Sequence, residues 1–167
     1  MSEAVATKSR VPIVGLATAV GAFIVDRVTK YVMLEQVMRP PGVTETPFFT
    51  DTIIELLPVF NFRMAWNTGI SFSLFNSGAA LTVGILLTVQ IAITLVLTWS
   101  IFTAKNRWVQ FATGLIIGGA AGNIVDRAMY GAVADFLDFH LGEWHFPTFN
   151  VADSCISIGV FLWLLDA

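Results

Sequence analysis

Four aspartates, two asparagines and an arginine stand between residues 118 and 159, amid segments apolar enough to live in lipid. They read G-G-A-A-G-N-I-V-D-R, then V-A-D-F-L-D-F-H, then F-N-V-A-D-S. An ionisable group in hydrocarbon costs about 2.5–3.5 kcal/mol on insertion scales, so such residues are functional candidates by default. Asp135 and Asp153 suit acid–base chemistry if they face each other. Two adjacent carboxyls do not both ionise comfortably, so one keeps a proton while the other stays charged. The charged one activates water against an amide carbonyl; the protonated one donates to the carbonyl oxygen and later helps the amine leave. A helix N-terminus near Asp153 favours that residue as the anion, although the proton belongs to the pair.

The surrounding polar residues have structural readings beside the functional one. Asp26 and Lys30 are spaced i, i+4, so they share a helix face and can pair. Asn123, Asp126 and Arg127 collect at one end of a later helix, where Asp126 with Arg127 or Asn123 reads equally as a charge pair locking a bundle. Asn150 can cap a helix with Asp153 as its third residue, a reciprocal capping arrangement. Asp138 and Glu143 alternate with Phe136, Leu137, Phe139 and Trp144, which suits an amphipathic helix or strap lying in a membrane interface. His140 and His145 lack the helical i, i+4 spacing of a zinc motif, so no metal is expected. Cys155, the only cysteine, sits in an apolar run and reads as a packing residue.

The elements that must position these groups are membrane helices. The 167 residues are 56% hydrophobic and 13% charged, with a mean hydropathy of +0.75. A soluble domain is nearer 25% charged, so this is expected to be an integral membrane protein with a single domain over 1–167. A net charge of −3 argues against a nucleic-acid partner. Spans of roughly 20 residues are needed. The apolar segments at about 11–34, 79–103, 108–130 and 149–166 supply four, with Pro12 tolerated in the first helical turn. The G-G-A-A-G run should face a neighbouring helix, because small residues let helices approach closely. Pro40, Pro41, Gly42 and Pro47 break the pattern, and the β-branched and aromatic residues of 53–66 predict short strands at the membrane surface. The segments at about 36–78 and 131–148 are then the outer connections. Asn76, Ser77 and Gly78 mark a turn or helix start. Lys8, Arg10, Lys105 and Arg107 flank the opposite ends, which the positive-inside rule makes cytoplasmic, with both termini.

A transporter or proton channel using Asp26, Asp126 and Asp153 as a relay is the competing class. It expects carboxylates strung through the membrane and, often, an inverted repeat. Here the second span has no ionisable residue, the acids cluster at one face, and no repeat is visible.

Five motifs in order resemble the lipoprotein signal peptidase (signal peptidase II) family. Asp26-Arg27-Val28-Thr29-Lys30 looks like its D-x-x-T-K, and Asn67-Thr68-Gly69-Ile70-Ser71-Phe72-Ser73 is similar to its N-x-G-x-x-F-S. Gly122–Arg127 resembles G-N-x-x-D-R, Val133–Phe136 resembles V-x-D-F, and Phe149–Ser154 resembles F-N-x-A-D-S. Arg27 stands where the family commonly has glutamine, and Ile70-Ser71 replaces two alanines; packing or rim contacts are expected to change, not chemistry. The resemblance implies a bundle of four transmembrane helices with a small extracytoplasmic β-rich cradle. It implies an aspartic endopeptidase of the bacterial inner membrane, with catalytic Asp135 and Asp153 near the outer surface. Asn67, Gly69, Asn123, Asp126, Arg127, Asn150, Asp26 and Lys30 are its expected binding or supporting residues. The implied substrate is a prolipoprotein cut just before a diacylglyceryl-modified cysteine. Membrane lipids and globomycin-type inhibitors are further implied partners; a monomer and no cofactor are expected. The connection at 131–148, with Phe139 and Trp144, is expected to act as a flap over the scissile bond.

Overall fold

A glycine-rich helix holds the bundle together. The computed structural model describes residues 11–44, 52–69, 79–104 and 106–166. Four α-helices lie among them: α1 (Ile13–Val32), α2 (Ala79–Ile101), α3 (Arg107–Tyr130) and α4 (Val151–Leu164). Asn106 starts α3, its side chain accepting from the Trp108 N–H at 2.9 Å, an N-cap in the usual sense. A Cβ on Gly118 would run into the carbonyl of Ala19, and one on Gly119 into that of Ala152. The expected glycine face therefore exists, with α1 against one side of α3 and α4 against the other. α2 packs more lightly and leaves most of its surface exposed. Pro12 is the N-cap of α1 rather than part of its first turn, its carbonyl accepting from Leu16 N at 3.0 Å. A single π-helical turn, Met33–Val37, extends α1.

Among the described residues, two helices are long and apolar enough by themselves to cross a membrane, Val83–Ile101 within α2 and Arg107–Tyr130. The first helix has 20 residues, but Asp26, Arg27 and Lys30 occupy its last turns. Its hydropathy suffers accordingly. The 14 residues of α4 are apolar and span about 21 Å at 1.5 Å per residue, short of a 30 Å hydrocarbon core.

A four-stranded antiparallel sheet sits beside the bundle in the order β1 (Ile53–Leu57), β2 (Phe60–Asn67), β3 (Val133–Leu141) and β4 (Trp144–His145). The strands expected within 53–66 are β1 and most of β2. Met33, Leu34 and Met38 pack with Met64 and Trp66 of β2, and with Ala132, Ala134 and Phe136, to form a core between sheet and bundle. Burial of this apolar patch is what docks the sheet on the end of α1.

The connection at 131–148 departs from expectation. It is a β-hairpin, turned at Gly142 and Glu143, and β3 is an inner strand of the sheet. Asp138, expected on an interfacial strap, is wholly buried, with both carboxylate oxygens 2.9 Å from Nδ1 of His145. His140 stacks on the same ring at 5.1 Å. An alternation with period two fits a strand as well as an amphipathic strap, and the sheet edge offered by β2 decided between them. Lys8, Arg10, Pro47, Ile70–Ser73, Asn76–Gly78 and Lys105 lie outside the described residues.

Candidate active site

Asp135 reaches its place through the end of α3. Gly131 closes that helix with φ of 71°, donating to the Arg127 carbonyl at 3.0 Å. This left-handed cap is cheap for glycine, and it turns the chain directly into β3. There Asp135 pairs in register with Ala65 of β2. The chain returns through the hairpin to Phe149, whose N–H donates to Leu137 O at 3.1 Å and whose carbonyl accepts from Leu137 N at 2.8 Å. That bridge sets the start of α4 beside β3.

Asn150 then contacts both carboxylates. Its Nδ2 donates to Asp135 Oδ1 at 2.7 Å, and its backbone N–H donates to Asp153 Oδ2 at 3.2 Å. Asn150 Oδ1 accepts from Asp153 N at 2.9 Å, completing a capping box. The capping arrangement and the paired aspartates are one structure. Each carboxylate has a second donor: Asn123 Nδ2 reaches Asp153 Oδ1 at 2.8 Å, and Asn67 Nδ2 reaches Asp135 Oδ2 at 3.0 Å. Asn67 Oδ1 accepts in turn from Gly69 N at 2.8 Å, which ties that loop to the site.

The two environments differ. Asp135 is buried and Asp153 half-buried. Burial first, then the Asp153 charge, push the Asp135 carboxyl up to about 7; donation from Asn67, the Lys30 charge and donation from Asn150 pull the other way. A group held near neutrality beside a second carboxylate is suited to carrying a proton at working pH.

Below the pair lies a buried ion cluster. Lys30 Nζ is 3.0 Å from Asp26 Oδ2 and 2.8 Å from Asp126 Oδ2, and donates to Asn123 Oδ1 at 2.9 Å. All three charged groups are fully buried, and Arg27 also pairs with Asp126. Asp26 Oδ1 accepts from Ala152 N at 3.0 Å, and Asp126 Oδ2 from Ala134 N at 3.3 Å. Each of these aspartates thus grips the backbone one residue before Asp153 or Asp135. Such a cluster fixes registry more surely than it adds stability, since desolvation offsets much of the attraction.

Such an arrangement has known counterparts. The profile of the family described as Signal peptidase (SPase) II matches residues 18–167. The chain belongs to the signal peptidase II family. It is 38% identical over 141 residues to the lipoprotein signal peptidase of Thermodesulfovibrio yellowstonii, covering 84% of this chain and 85% of that one. The lipoprotein signal peptidase of Yersinia pseudotuberculosis is 44% identical over 115 residues, 68% of each chain. A bacterial membrane enzyme solved by the in meso method at 1.9 Å resolution matches with a TM-score of 0.73 at 28% identity, covering 91% of this chain and 90% of that one. This signal peptidase II is therefore a membrane peptidase that removes signal peptides from prolipoproteins.

Two pairings differ from those read in the sequence. Asp126 does not pair with Arg127 or Asn123; it faces α1, where Arg27 and Lys30 take its oxygens. Arg127 turns to α2 and donates from Nη1 to Gln90 Oε1 at 2.9 Å. Successive residues on a helix point about 100° apart, so i and i+1 serve different neighbours. Arg27, expected to alter packing or rim contacts, is part of the ion cluster, and Gln90 was not legible as a site residue at all. The only signal for Gln90 was a lone amide in an uncharged span. A cleft of about 680 Å³, lined by Arg63, Trp66, Asp138 and His145 among others, flanks the sheet without including either paired aspartate. Phe139 and Trp144, expected on the flap, lie exposed on the β3–β4 hairpin, whose β3 strand pairs with β2 as far as Phe139.

Proposed function

We propose that Asp135 and Asp153 are the catalytic pair of this peptidase. The observation that carries the reading is Asn150, one residue bonded to both carboxylates from opposite ends of its own backbone and side chain. Asp153, third residue of α4, is the resting anion favoured by the helix N-terminus. It takes a proton from water as the water oxygen bonds to the scissile carbonyl carbon. Asp135 gives its proton to the carbonyl oxygen, forming a neutral gem-diol. Collapse breaks the carbon–nitrogen bond; the leaving nitrogen takes the proton held by Asp153, and a diol hydroxyl returns one to Asp135. Asn67 and Asn123 keep the carboxylates oriented, and Lys30 with Asp26 and Asp126 holds their backbones.

The substrate bond precedes a diacylglyceryl-modified cysteine. The signal segment lies against the helices and the acyl chains against membrane lipid, leaving the bond near the outer surface where water is present. In this reading α1 and α4 complete four spans, with the polar ends of α1 and α3 facing the extracytoplasmic side of the bacterial inner membrane. Both termini are cytoplasmic, the enzyme acts as a monomer, and globomycin-type cyclic peptides occupy the same site.

Cleavage of a lipidated precursor in detergent tests the pair. Asp135→Asn and Asp153→Asn should each lower turnover by at least about a hundredfold, the scale of lost acid–base catalysis, while still binding precursor. Near-parental turnover in either variant would remove that residue from the chemistry.

A further inference from the structure

Helix α2 carries no charge and faces outward over most of its length. The hydroxyls of Thr88, Thr94, Thr98 and Ser100 all return to carbonyls of the same helix. Among its described polar side chains, only that of Gln90 bonds to another helix. Its Nε2 donates to Ala120 O at 3.4 Å, and its Oε1 accepts from Arg127 Nη1 at 2.9 Å.

Arg127 makes a curious choice in accepting that partner. The acidic groups that face it are Asp126 on its own helix, Asp135 on β3 and Asp153 on α4. None of the three forms an ion pair with it, and its Nε is buried without a partner. A guanidinium free to move would fork onto a carboxylate, a bond about twice as strong as one to a neutral amide. This uncharged span has placed its single amide where it restrains that movement.

We propose that Gln90 is a positioning residue that holds the Arg127 guanidinium back from the Asp135–Asp153 pair. Both carboxyls then stay free of direct contact with the cation, yet remain within its field. This inference rests on the catalytic reading of the two aspartates given above.

Without the amide, Arg127 closes onto the pair. Lys30 and Arg27 on α1 remain engaged by Asp26 and Asp126, so the guanidinium is the one cation that changes place. A cation brought within ion-pair distance lowers a carboxyl pKa by about 1–3 units. The shared proton is then lost at lower pH, and the alkaline limb of kcat against pH moves toward acid. A shift of about one pH unit gives about a tenfold loss of kcat on the alkaline side.

The test is the pH profile of precursor cleavage in detergent for Gln90→Met, with Gln90→Ala as a second deletion of the amide. Both should move the alkaline limb acidward by about one pH unit, with KM changing less than kcat. Gln90→Glu, which keeps an acceptor for Arg127, should show no acidward shift of the limb. In an Arg127→Gln background, Gln90→Met should produce no further shift, because the two act through one contact. A role confined to gluing α2 to α3 would lower thermal stability and leave the limb in place, and that result would overturn the proposal. Loss of the catalytic reading is separable: Asp135→Asn or Asp153→Asn would then retain activity whatever Gln90 does.

Discussion

Asp135→Asn should make the protein more stable above about pH 5, with the gain growing until about pH 7. The parent carboxyl is raised from 3.8 to about 7 by burial and by Asp153. A carboxyl with a higher pKa folded than unfolded binds more protons in the native state. Its contribution is full below about pH 4 and is lost as pH rises through about 7. Three pH units at about 1.4 kcal/mol each make the ionised form about 4 kcal/mol costlier at pH 8 than at pH 4. Asparagine has no charge to desolvate. Its amide cannot accept from both Asn67 and Asn150, and one lost acceptor costs about 1–2 kcal/mol. The net gain at pH 8 is therefore about 2 kcal/mol, or roughly 4–8 °C in Tm for a chain of this size. At pH 4 the lost acceptor remains and the charge penalty does not, so the variant should melt at or below the parent. Thermal unfolding in one detergent, followed by tryptophan fluorescence at pH 4, 6 and 8, reads this difference. A Tm gap between variant and parent that stays constant from pH 4 to pH 8, or shrinks, would refute the assigned environment of Asp135.

Lys30→Met leaves Asp26 buried without its cation, a loss of about 3–5 kcal/mol, so Tm in detergent should fall by about 10 °C or more. An unchanged Tm would mean the cluster does not brace the bundle. Gly119→Val drives a side chain into Ala152 and Ile156, one residue from Asp153, and overpacking of this kind costs about 1–3 kcal/mol. Turnover should fall together with Tm; parental turnover at reduced Tm would show that α4 can shift without moving Asp153.

Much of the fold was legible because it depends on local chemistry. Long apolar runs, prolines and a β-branched segment located the four helices and the first two strands. The small residues of α3 announced a close helix contact, and the i, i+4 spacing of Asp26 and Lys30 announced their ion pair. The hairpin of 131–148 was misread because period-two alternation describes the strand but not its partner. Nothing near Asp138 in the chain says that β2 will lie alongside and bury it.

The residue types and their order determined that this is a membrane peptidase of the signal peptidase II family. Tertiary structure decided which groups surround Asp135 and Asp153. It sent Asp126 to α1 and Arg127 to α2, made Asn150 both a helix cap and the link between carboxylates, and placed Gln90 against the guanidinium. The physical reason is angular. A helix distributes adjacent residues to different neighbours, and only the packing of α1, α2 and α4 around α3 states who those neighbours are.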